Sequence, residues 1–189
     1  MSPTTELHKK KTRKPLLFIS MISIVMLFIG LTSGYIVRKA EGNWMDFDLP
    51  DAFFLSTAVI IISSFAIQKS LQAARANNFA ATRKLLGVSF MLGIAFTILQ
   101  FEGWSQMHDM GVFFTGQSSN AAGSFVYVIT LVHLAHLVAG IISIVLMFLN
   151  ARQNKYSSEN ALGLELGVIF WHFLGGLWLY LFLFLLLTR

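Results

Sequence analysis

Five stretches of the chain are almost continuously apolar: Leu16 to Val37, Ala52 to Leu71, Leu85 to Phe101, Ser124 to Leu149 and Leu162 to Leu187. Crossing a hydrocarbon layer of ~30 Å takes roughly 20 mostly apolar residues in a helix. Each stretch therefore predicts a membrane-spanning helix. The second and third have short apolar centres, so their polar ends must reach out to the interface. None alternates polar and apolar positions as a membrane barrel strand does. The first stretch is too long for a signal-peptide core and lacks a clear cleavage pattern, so it is expected in the mature protein. The expected fold is an all-α integral membrane bundle of five helices forming one domain, preceded by a basic tail over residues 1–15. No repeat or low-complexity segment interrupts it.

Composition sharpens this picture. Of 189 residues, 56% are hydrophobic and only 12% charged, with a mean hydropathy of +0.68. A soluble domain carries about twice that share of charge. Eighteen Phe residues exceed what the core of so short a soluble chain can enclose. There is no cysteine, which removes disulfides, iron–sulfur clusters, c-type haem attachment and thiolate metal sites together.

The charges fix an orientation. Lys9, Lys10, Lys11, Arg13 and Lys14 precede the first span; Lys69 stands at the end of the second, and Arg75, Arg83 and Lys84 lie between it and the third; Arg152 and Lys155 lie between the fourth and fifth. These eleven fall on one side, against Arg38, Lys39 and Arg189 on the other. The positive-inside rule then puts the N-terminus in the cytoplasm and the C-terminus outside. Glu41, Asp46, Asp48, Asp51, Glu102 and Asp109 fall on the outer side, where Gly103 to Gly123 reads as a loop that packs on a neighbouring protein or moves freely. The basic tail serves orientation, and nucleic acid is not expected as a partner.

Polar and small residues within the spans are the candidate functional positions. Ionisable side chains in a bilayer are functional-site candidates by default. The fourth span holds His133 and His136, three apart on one helical face; the fifth holds Glu165 and His172, seven apart on one face. These four form the expected polar cluster, with structural hydrogen bonding or a proton path as its role. Glu165 and His172 are expected to make its main contact, directly or through water, so that His172→Leu should harm assembly more than Leu174→Ala. Three histidines in the membrane, without further ligands, are too few for a haem–copper centre accompanied by a low-spin haem, so this chain is not such a catalytic subunit. A single haem or metal on His133 with His172 stays the lesser reading beside structural hydrogen bonding. Small residues four apart permit close helix approach: Gly30 with Gly34, Ala135 with Ala139, and Gly163 with Gly167.

Together these residues resemble a known family. His133-Leu134-Ala135-His136, followed by Gly140, resembles the His-x-x-His-x-x-x-Gly segment of cytochrome c oxidase subunit III. Glu165 and then Phe170-Trp171-His172-Phe173 with Trp178 resemble that family's last-helix signature. Leu55-Ser56-Thr57, Ser63-Ser64, Phe96, Gln100, Glu102 and Trp104 are similar to it as well, so the likeness spans roughly residues 16 to 187. Five spans match the short bacterial form. Two positions depart from the family pattern: Gly175 stands where an acid is common, and Ile24 where many members carry a buried Glu linked to lipid and proton uptake.

The resemblance implies an accessory subunit of a haem–copper terminal oxidase in aerobic respiration. Such a subunit supports the stability and proton uptake of the catalytic subunit while the complex reduces oxygen and translocates protons. It implies a catalytic subunit I carrying haem and copper and a copper-domain subunit II as partners. It further implies bound phospholipid, no haem or copper on this chain, an outer-side interface at Gln100, Glu102 and Trp104, and helix packing at Gly140. It leaves open whether the complex joins a larger respiratory supercomplex. The rival readings are the same fold serving a quinol oxidase or nitric-oxide reductase, a small proton-coupled transporter, and a b-type cytochrome. No broken helix or inverted repeat favours the transporter.

Overall fold

A computed structural model describes residues 3–116, 119–158 and 160–188, with side chains from Lys14 onward. The basic tail's Lys9, Lys10, Lys11 and Arg13 side chains, and Arg189, lie outside the described residues. Five helices account for nearly all of the chain: α1 (Pro3–Ala40), α2 (Asp51–Arg75), α3 (Phe79–Asp109), α4 (Ala121–Arg152) and α5 (Leu162–Thr188). There is no strand among the described residues. All five are long and apolar enough to cross a membrane, and at 1.5 Å per residue each exceeds the ~30 Å of hydrocarbon.

Each helix outruns the apolar stretch that announces it, because its ends are closed by polar groups beyond the lipid-facing run. The Asn78 side chain accepts a hydrogen bond from Ala81 N (3.1 Å), and Asn120 accepts one from Ala122 N (2.9 Å). Both satisfy amides that the first helical turn leaves without a partner. Asn77 and Asn154 take positive φ of 55° and 51° just past α2 and α4, a conformation Asn adopts more readily than most residues. The expected outer loop from Gly103 is a correction: α3 continues through Gly103 and Trp104 to Asp109. Within that helix Gly103 leaves room for the Phe53 ring of α2, which lies where a side chain would be.

The helices run up and down, α2 pairing with α3 through a tight turn, α3 with α4, and α4 and α2 with α5. Helix α5 is the most enclosed, with half of its most apolar window buried, against 11% for α1. Helix α1 touches only α4 and α5 among the described residues, through Phe28, Thr32 and Tyr35. Along the axis stand Phe28, Phe53, Phe96, Trp171 and Trp178, each nearly inaccessible.

Candidate functional site

Every buried polar side chain in a bilayer needs a partner inside the protein, since lipid offers none. The indole groups of α5 meet that need across the α2–α5 seam. Trp171 Nε1 donates to Ser63 Oγ (3.2 Å) and Trp178 Nε1 to Thr57 Oγ1 (2.9 Å). Ser63 and Thr57 pass their own protons to backbone carbonyls, of Ser89 (3.3 Å) and Phe53 (2.7 Å). One layer over, Trp104 Nε1 donates to Thr130 Oγ1 (2.9 Å), tying α3 to α4. The hydroxyls of Thr32 and Tyr180 lie 3.2 Å apart, tying α1 to α5.

The four residues expected to form one cluster occupy separate settings. Glu165 turns to the end of the bundle that carries the basic loops, where Arg75 Nη2 donates to its Oε1 (2.7 Å) and Lys14 Nζ stands 3.8 Å from Oε2. It thereby links α5 to α2 and α1. His172 Nε2 lies 3.1 Å from Gln68 Oε1 of α2. His136 Nδ1 lies 2.7 Å from the Val132 carbonyl, one turn back on its own helix. His133 is fully buried, and neither ring nitrogen has a hydrogen-bond partner. Its neighbours are the rings of Phe28, Phe96 and Trp178, at centroid distances of 6.3, 6.1 and 5.3 Å. The expected Glu165–His172 contact is therefore replaced by two contacts to α2. Two helical turns separate the pair, ~10.5 Å of rise, and in antiparallel α2 Arg75 and Gln68 are also seven apart, so each faces a nearer partner.

The expected outer-side interface divides. Gln100 is fully buried and donates through Nε2 to Ser56 Oγ (2.9 Å), inside the bundle. It therefore contributes no outer surface. Trp104 is half-buried and joined to Thr130, whereas Glu102 is exposed beside Gln106. The small-residue spacing divides too. A side chain at Gly140 would meet Leu174 Cδ1 at 2.6 Å, and one at Gly167 would meet the Met147 thioether. Gly34 and Gly163 are in ordinary contact with Phe125 and Tyr156, Gly30 has nothing within 4 Å, and Ala135 and Ala139 are exposed. Tight contacts at Gly93, Gly103 and Gly123 carried no signal, because their partners are Trp171, Phe53 and, in the loop after α3, Val112, rather than a second small residue four positions away.

Among the described residues no three histidine, aspartate or glutamate side chains gather so as to hold a metal ion. The geometry is that of a helix scaffold with polar ties. Residues 45–188 match the family cytochrome c oxidase subunit III. The chain belongs to that family. A probable cytochrome c oxidase subunit 3 of Nocardia farcinica is 29% identical over 167 residues, covering 85% of this chain and 80% of the relative. The cytochrome c oxidase subunit 3 of Synechocystis is 28% identical over 163 residues, covering 83% and 67%. That of Alkalihalophilus pseudofirmus is 26% identical over 155 residues, covering 82% and 73%. This subunit III is a multi-pass membrane protein and part of an oxidase complex.

Proposed function

We propose that this chain is the accessory subunit of a haem–copper cytochrome c oxidase in a bacterial cytoplasmic membrane. It packs on the catalytic subunit I beside the copper-domain subunit II, and sustains that subunit's stability and proton uptake during turnover. Haem and copper belong to the partners. Family membership carries the reading, and the polar groups agree with it: the ties of Trp171, Trp178, Trp104, Gln100, Glu165 and His172 join helices to one another.

Phospholipid fits the face of α5 left open between α1 and α2. One groove there, about 350 Å³, runs along α2 from Gln68 and His172 to Leu179; a second, about 550 Å³, runs along α1 past Val25 and Ile29 to Tyr180. Gly176 lines both. The walls are apolar, suiting acyl chains, and the Lys14–Glu165–Arg75 group closes the end where a headgroup would lie. With the basic loops in the cytoplasm, that end faces the cytoplasm.

Affinity purification of the tagged chain in mild detergent tests the assignment. Mass spectrometry should find a haem–copper catalytic subunit and a subunit with a dinuclear copper domain, with co-eluting phospholipid. Recovery instead with an iron–iron catalytic partner, or of the chain alone with proton flux in vesicles, would refute it.

A further inference from the structure

His133 and Gln100 pose a bonding problem at the centre of the bundle. Both are wholly buried, and among the described residues Gln100 Oε1 and both ring nitrogens of His133 lack partners. Buried polar atoms in folded proteins are satisfied by protein or by ordered water in the great majority of cases. The antiparallel register of α3 and α4 sets these two residues level. Trp104 bonds Thr130 on one side of them, and Gly93 packs on Ile141 on the other. All five helices converge here: Phe28 of α1, Phe96 of α3 and Trp178 of α5 surround the His133 ring, while Ser56 and Thr57 of α2 hold Gln100 and Trp178.

The nearby hydroxyl protons are already committed. Ser56 donates to Phe53 O (3.0 Å), Thr57 to the same carbonyl (2.7 Å), and Thr130 to Val126 O (2.8 Å). A neutral imidazole has one accepting and one donating nitrogen, and an amide oxygen only accepts. The pair thus holds two acceptors and one donor, the imidazole N–H, and none of the three is bonded to protein. Water brings two O–H donors and accepts through its oxygen, so it can bridge Gln100 Oε1 to the nearer ring nitrogen whichever tautomer His133 adopts. We propose that a buried water molecule is held between the His133 imidazole and the Gln100 side-chain carbonyl, joining α4 to α3 where the five helices meet. It donates one O–H to Gln100 Oε1 and bonds the nearer ring nitrogen as donor or acceptor according to the tautomer. Internal waters typically make 2–4 hydrogen bonds to groups otherwise left unsatisfied.

The test uses the intact complex that contains this chain. A cryo-EM map at a resolution that shows ordered water should carry a peak about 2.6–3.2 Å from both Gln100 Oε1 and a His133 ring nitrogen. A second measurement follows thermal release of the chain from wild-type, Gln100→Met, His133→Phe and doubly substituted complexes. Each single change strands the other acceptor and should lower the midpoint. The double change removes both, so its midpoint should lie nearer wild type than the sum of the single shifts. A direct His133–Gln100 hydrogen bond with no intervening peak, or additive shifts, would overturn the proposal. Both measurements concern this chain's core, so neither depends on what the complex transports or oxidises.

Discussion

His172 and Leu174 sit two residues apart on α5 and contribute in opposite ways. Leu174 is fully buried and packs over Gly140, while His172 is half-buried with one tie, to Gln68. Truncating a buried Leu costs about 2–5 kcal/mol, whereas hydrogen bonds between membrane helices average about 0.6 kcal/mol. Leu174→Ala should therefore reduce recovery of the assembled complex more than His172→Leu, the reverse of the order expected from the sequence. Thermal midpoints of the two purified complexes check it. Glu165→Gln should have a small effect that shrinks further in high salt, because Lys14 and Arg75 are both half exposed and such pairs contribute about 0–1 kcal/mol. Sequence alone marked the ionisable residues correctly as positions within spans. Their partners escaped it, because Gln68, Ser56 and Thr57 become neighbours only once α2 is laid antiparallel to α5 and α3.

At the scale of the helices, glycines at close crossings separate from glycines that merely recur. A methyl at Gly103 would enter the Phe53 ring, itself fully buried, whereas one at Gly30 meets nothing within 4 Å. Gly103→Ala should lower the thermal midpoint by the equivalent of about 1–3 kcal/mol, the usual consequence of forcing atoms into a packed core. Gly30→Ala should leave it unchanged or raise it slightly, since Ala is the better helix former. Gly167→Ala should fall between them, because the flexible Met147 thioether can swing aside. The existence of the five helices was legible from the apolar runs. Their ends were not: Trp104 to Asp109 carries too many polar residues to read as membrane, yet remains helical because Trp104, Met107 and Tyr127 pack there.

At the scale of the whole molecule, the bundle has a charge asymmetry and an open flank along α5. The asymmetry makes a topological prediction. In intact cells, a membrane-impermeant thiol reagent should label Asp109→Cys and leave Ser158→Cys unmodified; the opposite pattern would invert the orientation. The open flank makes another: Gly176→Phe, which fills the floor shared by the two grooves, should reduce the phospholipid retained per complex while leaving the helices intact by circular dichroism. The central claim is that this subunit III sustains a metal centre it does not ligate. Deleting the chain and recording reduced-minus-oxidised spectra and oxygen consumption of the purified remainder, per mole of catalytic subunit, tests it most directly. The account predicts unchanged haem bands with activity that declines faster during turnover; loss of a haem band in proportion to loss of this chain would contradict it.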